Sequence, residues 1–204
     1  MRVRAYVDGF NLYYGSLKGT PFKWLDLRAL VASIAPGHTI DHIRYFTARV
    51  SGKVDPNIPQ RQNAYLRALE SLGIVTVHYG KFLSGVHRMP LANPSGGSRF
   101  AQVIRTEEKG SDVNLATWLL LDGTDKLYDL AIVISNDSDL MDAVRQAAGR
   151  FGPVWVVNPN VLFSNALKRA ATRYLPLPAA TLAAAQFPDP VHVGSARISK
   201  PKGW

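Results

Sequence analysis

Four aspartates stand where this sequence changes from one kind of local structure to another. Asp8 closes an apolar run that begins at Val3. Asp137 and Asp139 follow the apolar stretch LAIVIS directly, in Ser135-Asn136-Asp137-Ser138-Asp139. Asp112 opens a helical stretch in Lys109-Gly110-Ser111-Asp112-Val113-Asn114. Taken singly, each suits a helix cap or first turn, where a carboxylate gains about 0.3–1 kcal/mol from free N–H groups and the helix dipole. Taken together they need another explanation. Four carboxylates crowded within a few ångströms repel and shift one another's pKa values unless a cation sits among them. The chain has no cysteine, and its five histidines (His38, His42, His78, His87, His192) show no ligand or triad spacing. Hard oxygen donors of this kind select magnesium or manganese over zinc. Asn11 lies one turn beyond Asp8 on the same helical face, placed to orient that carboxylate or a metal-bound water.

The elements that must bring these acids together alternate strand and helix. Val3–Asp8 reads as a first strand, and an aromatic-rich helix runs from Phe10 to Leu17. Asp26 caps a helix whose Leu27, Leu30, Val31 and Ile34 recur at helical spacing, ended by Pro36-Gly37. His42–Val50 is a strand, Ser51–Pro59 a polar loop, Gln60–Leu72 a helix and Ile74–Tyr79 a strand. After a break the rhythm resumes. Ser111 caps a helix through Leu121, Leu130–Ser135 is a buried strand, and Ser138–Arg150 is a helix. Val154–Val157 is a strand, Leu162–Ala171 a helix, and Tyr174-Leu175 a short last strand. Strands joined by helical crossovers form a mostly parallel sheet covered on both faces, so the expected fold class is a Rossmann-like three-layer α/β/α. Right-handed crossovers put the loops that leave the strand C-termini on one edge, where such folds hold their ligands. Asp8, Asp137 and Asp139 belong on that edge, and Asp112 joins them if its helix starts there.

Residues 80–109 break the alternation. Gly80, Gly85, Pro90, Pro94, Gly96 and Gly97 punctuate β-prone pieces, which predicts a protruding hairpin-like insertion. From Pro176 the chain turns Pro/Ala-rich, which reads as an irregular tail over 176–204 beyond a domain spanning 1–175.

The 204 residues are 47% hydrophobic, enough to bury a core and too apolar for general disorder. No apolar run approaches the about 20 residues needed to span a bilayer, so no membrane partner is expected. Met1–Asp8 lacks the long apolar stretch of a signal peptide, and the absence of cysteine makes cytoplasm the default compartment. A formal net charge of +9 favours polyanionic partners, nucleic acid first. There is no G-x-S-x-G elbow and no Walker-type phosphate loop.

Three segments carry a family resemblance. Tyr6-Val7-Asp8-Gly9-Phe10-Asn11-Leu12, Lys109-Gly110-Ser111-Asp112-Val113 and Ile134-Ser135-Asn136-Asp137-Ser138-Asp139-Leu140 resemble, in order, the three signatures of the NYN domain. That group of PIN-like nucleases includes the LabA-like proteins. The resemblance covers roughly residues 1 to 175. It implies metal-dependent phosphodiester hydrolysis, usually of RNA rather than DNA, with Asp8, Asp112, Asp137 and Asp139 at the acidic positions and Asn11 at the early Asn. One departure is Asn136, which stands where many members have Gly.

On this reading Asp8, Asp112 and Asp137 hold one or two magnesium or manganese ions, and Asp139 is a ligand or orients one. Lys81, Arg88, Arg99 and Lys109 are candidates for phosphate contacts, with Tyr13 or Tyr14 stacking on a base. The alternatives are a non-catalytic RNA-binding module that keeps the metal site, and a phosphatase acting on a small ester. The tail leaves a homodimer open.

Overall fold

The computed structural model describes residues 1–52, 55–95 and 98–204. The expected loop Ser51–Pro59 and the expected hairpin tip at Gly96 and Gly97 therefore lie partly outside the described residues. Among the described residues seven strands share one sheet: β1 (Arg2–Asp8), β2 (Thr39–Ala48), β3 (Val75–Ser95), β4 (Ser98–Lys109), β5 (Leu130–Ile134), β6 (Val154–Asn158) and β7 (Arg173–Pro176). Their order is β4-β3-β2-β1-β5-β6-β7, and every neighbouring pair is parallel except β3 with β4. The chain thus winds outward from β1 through β2 and β3, then returns to lay β5, β6 and β7 on the other side. That reversal makes a crevice between the C-terminal ends of β1 and β5, the place where open α/β sheets take ligands.

Alternation along β1 sorts the core into two layers. Val3, Ala5 and Val7 face one side with Ile43, Trp24, and residues of α2 (Leu27–Ile34) and α3 (Asn57–Glu70). Tyr6 faces the other, with Phe46, Ala131, Val133, and residues of α4 (Ser111–Thr124) and α5 (Met141–Arg150). All five residues of β5 are buried, as a strand covered on both faces must be. Asp26 caps α2 by accepting from the backbone N–H groups of Arg28 and Ala29, at 2.8 and 3.0 Å.

Several boundaries move for local reasons. The first helix is α1 (Gly9–Leu12), which continues as a π-helical turn over Tyr13–Leu17. The helix after β5 starts with a 3-10 turn, Ser138–Leu140, before α5. Ser111 does not cap α4. The cap is Gly110, held at φ 98, a left-handed backbone that glycine adopts without a Cβ penalty. The Ser111 N–H and hydroxyl instead donate to the Glu108 carboxylate, at 3.2 and 2.5 Å.

The insertion is a long antiparallel arm. β3 and β4 pair from Lys81↔Lys109 to Pro90↔Phe100. The tail departs from the irregular reading: it holds α7 (Ala179–Ala184) and a hairpin of β8 (Val191–Val193) and β9 (Ala196–Ile198), after α6 (Asn165–Ala170) and β7. Leu182, Ala185, Phe187, Val191 and Ile198 bury against the Trp24 side of the core. The Phe187 N–H donates to the Trp24 carbonyl at 2.9 Å, and the Trp24 indole N–H donates to the Pro188 carbonyl at 3.0 Å. Those apolar residues follow no single helical or strand period, so no periodicity announces them.

Candidate functional site

Asp8 ends β1 and is 5% exposed. Its Oδ1 accepts from the Asn11 N–H at 2.9 Å, making it the N-cap of α1, and its Oδ2 accepts from the Ser135 hydroxyl at 2.9 Å. The Ser135 oxygen in turn accepts from the Asp137 N–H at 3.1 Å, so the ends of β1 and β5 are tied through one hydroxyl. Asp137 caps the 3-10 turn by accepting from the Asp139 N–H at 2.9 Å. The capping explanation of Asp8 and Asp137 is therefore true, and both residues still line the crevice.

A cleft of about 380 Å³ opens at this point, lined by Asp8, Asn11, Asp112, Asp137, Glu108 and Asn160 along with Phe10, Tyr14, Phe82 and Ser111. Three of the four expected aspartates line it. Asp139 does not, although its charge reaches Asp112. Burial first, and then the charges of Asp8, Asp137, Glu108 and Asp139, together push the Asp112 carboxyl up to about 6. Burial also raises Asp8, and its hydrogen bonds to Asn11 and Ser135 offset part of that shift. Among the described residues, no three acidic or histidine side chains are gathered tightly enough to hold a metal ion as they stand. The carboxylates feel one another's charge without being drawn together. The donor set, carboxylate and amide oxygens with no thiolate or imidazole, fits a hard divalent cation in kind.

Asn11 is a positioning residue here. Its Oδ1 accepts from the Asn136 N–H at 3.0 Å and from the Asn160 side-chain amide at 3.1 Å, joining the loops after β1, β5 and β6. Asn136 turns its side chain away from the acids. Its amide donates to the Leu162 carbonyl at 2.9 Å, and its Oδ1 accepts from the Ser164 N–H at 2.9 Å and the Tyr174 hydroxyl at 2.7 Å.

Glu108 and Asn160 are the cleft residues that sequence reasoning missed. Glu108 precedes the Gly110 cap, outside the order of a capping box, so no local pattern announced that its carboxylate accepts from Ser111. Asn160 follows β6 in Asn158-Pro159-Asn160, on the ligand edge by the same topological rule that placed Asp137.

The four basic candidates lie on the arm. Period-2 alternation places Arg88 on the arm's face that carries Phe82 and Glu108, which line the cleft. Lys81 and Lys109, paired across the strands, lie on the opposite face, where Lys109 bridges Glu107 at 2.9 Å and Arg105 also pairs with Glu107. Arg88 stacks on Phe100 at 4.3 Å, and Arg99 is exposed. Tyr14 lines the cleft and Tyr13 does not. Among the described residues no helix is long and apolar enough to cross a membrane.

A parallel α/β sheet with a carboxylate cluster at its switch point defines the class: a Rossmann-like, PIN-like fold with an acidic ligand edge. The NYN domain profile matches residues 2–178. The chain belongs to the NYN domain family. It is also 30% identical, over 236 aligned residues covering 100% of this chain and 75% of the other, to 6-hydroxy-3-succinoylpyridine 3-monooxygenase HspA of Pseudomonas putida. Among solved structures it resembles a Vibrio parahaemolyticus protein of unknown function, with a TM-score of 0.58, 19% identity, and coverage of 87% of this chain and 93% of that one. That likeness concerns the fold.

Proposed function

We propose that this protein is a metal-dependent phosphodiesterase acting on RNA, with the cleft between β1 and β5 as its active site. The observation that carries the reading is the convergence of Asp8, Asp112 and Asp137 on one cleft, with Asp112 displaced to about 6 by burial and by its acidic neighbours. Asp8, Asp112 and Asp137 would hold magnesium or manganese, and Asp139 would add or orient a ligand. A bound cation supplies charge neutralisation of the scissile phosphate and a lowered pKa for water. The chain's own residues do the rest. Ser135 and Asn11 fix the Asp8 carboxylate and the loops beside it. Glu108 adds a further carboxylate at the α4 entrance, within reach of Asp112's field. The basic surplus draws the strand in, and Arg88 contacts its backbone.

The test incubates labelled single-stranded RNA with the protein in magnesium, manganese or EDTA. Cleavage that needs the metal and vanishes in Asp137→Asn, with the fold retained, supports the proposal. Binding without cleavage in both metals sinks it.

A second reading rests on the relative of Pseudomonas putida, whose similarity runs the whole length of this chain. On that reading the site would act on a substituted pyridine. Dioxygen uptake on adding 6-hydroxy-3-succinoylpyridine with a reductant, and no RNA cleavage, would select it.

A further inference from the structure

The carboxylate cleft shares a wall with a second cavity of about 330 Å³. Phe10 and Tyr14 line both. Beyond them the second cavity is walled by Tyr13, Tyr45, Tyr65 and Trp204, rings that come from the π turn, β2, α3 and the end of the chain. The rings brace one another: Tyr13 meets Tyr14 edge-on at 5.2 Å, Tyr45 meets Tyr65 edge-on at 6.2 Å, and Tyr65 lies 5.7 Å from Trp204. A volume near the lower end of the small-ligand range, bounded by aromatic faces and edges, suits one flat ring better than an aliphatic chain.

Tyr45 gives the cavity a polar anchor. It is 7% exposed, and among the described residues no group hydrogen-bonds to its hydroxyl. The other buried tyrosines differ. Tyr6 donates to Asp122 at 2.8 Å, Tyr65 to the Leu25 carbonyl at 3.0 Å, and Tyr128 to the Leu119 carbonyl at 3.2 Å. Tyr45 lines the cavity, so its hydroxyl is open to a partner that enters there. Gly9 leaves it room, since a Cβ there would come within 2.7 Å of the Tyr45 ring and hydroxyl. Two cations, Lys23 and Arg61, line the same cavity. Arg61 also pairs with Asp55 at 2.5 Å, and Lys23 donates to the Gly203 carbonyl at 3.1 Å. Asp55 is not part of the lining, so among the described residues the charged side chains of the lining are positive, while Asp8 in the neighbouring cleft acts on the Tyr45 hydroxyl.

We propose that this cavity binds a single flat aromatic ring carrying an anionic group. The ring sits among the tyrosines and Trp204, a ring oxygen or nitrogen accepts from the Tyr45 hydroxyl, and the anion meets Lys23 and Arg61. Two sources supply that chemistry: an unpaired nucleotide of a strand whose phosphate enters the carboxylate cleft, and a free aromatic acid. The binding does not depend on hydrolysis.

The test is calorimetric titration of the full chain in EDTA with uridine 5′-monophosphate, nicotinate and, as a non-planar anion, cyclohexanecarboxylate. At least one planar anion should bind one-to-one, tenfold or more tighter than cyclohexanecarboxylate. Tighter nucleotide binding identifies the strand as source, and tighter nicotinate binding identifies the free acid. Tyr45→Phe should weaken the planar ligand by about three- to tenfold without lowering the melting temperature, because no internal hydrogen bond is lost. Trp204→Ala should weaken it as well. Absence of binding, equal affinity for the non-planar anion, or binding indifferent to both substitutions overturns the proposal. Because no metal is present, loss of RNA cleavage with ring binding intact would remove the hydrolase reading alone.

Discussion

Asp8 and Asp112 are held where burial of their charge costs stability. Asp112 titrates near 6 in the folded chain, against about 3.8 for an ordinary Asp. Between those values the folded state binds a proton that the unfolded state has released, so stability rises as pH falls from 6 toward 4, and above pH 6 the ionised group costs its full penalty. Asp112→Asn should therefore stabilise the metal-free protein at pH 7 by about 1–2 kcal/mol, the shift being discounted for partial solvent screening. Urea unfolding in EDTA checks this. The gain should shrink as pH drops below 6, and metal-dependent cleavage should be lost. An Asp112→Asn protein less stable than the parent at pH 7 would mean the carboxylate is needed for the α4 entrance. Asn136 calls for the opposite expectation. Its side chain holds Leu162, Ser164 and Tyr174 and not the acids. Asn136→Gly should cost about 1–3 kcal/mol from the partners it leaves unsatisfied. It should not raise activity per folded molecule; a clear rise would show that the amide obstructs the cleft.

At the scale of the element, the β3–β4 arm is the part of the molecule with two unlike faces. One carries Lys81, Arg105, Glu107 and Lys109 and satisfies much of its charge internally. The other starts at Phe82, which meets Phe10 edge-on at 5.6 Å beside the cleft, and runs out through the Ser84–Thr106 hydrogen bond, the Val86–Ile104 pair and Arg88 on Phe100. A strand leaving the cleft along the arm meets the second face first. Arg88→Ala should weaken RNA binding and lower the slope of log K against log salt by about one. Lys109→Ala, on the far face, should change that slope by less. Fluorescence anisotropy over a salt series reads both. Equal slopes for Arg88→Ala and the parent would take this face out of the binding path.

For the whole molecule, the family match ends at residue 178, but the folded unit does not. Residues beyond it cover Trp24, Leu25 and Tyr65, and Leu25 and Gln186 form a β-bridge. Phe187, 6% exposed and packed 5.6 Å from Trp24, is the largest apolar group of that strap after Trp204. Phe187→Ala should cost about 3–5 kcal/mol. Thermal unfolding measures it, and a loss under 1 kcal/mol would mean the strap packs loosely. Much of this architecture was legible from residues 1 to 175. Strand–helix alternation fixed the parallel sheet, and the strand ends named Asp8 and Asp137, because side-chain period and crossover handedness are local or nearly local rules. The arm was legible too, through glycine and proline punctuation. Other features depended on approach through space. Glu108 joined the cleft because β4 returns beside β3. Asp139 missed its lining by facing outward from the 3-10 turn. The two faces of the arm were set by register, which a one-residue slip would have exchanged. The sequence by itself determined that Asp8, Asp112 and Asp137 stand at one sheet edge; only the tertiary structure decided that Glu108 joins them and Asp139 does not, that Asn136 is a tether, that the tail completes the core, and that tyrosines from distant segments enclose a second cavity. Those are contacts between residues far apart in the chain, and no local period encodes them.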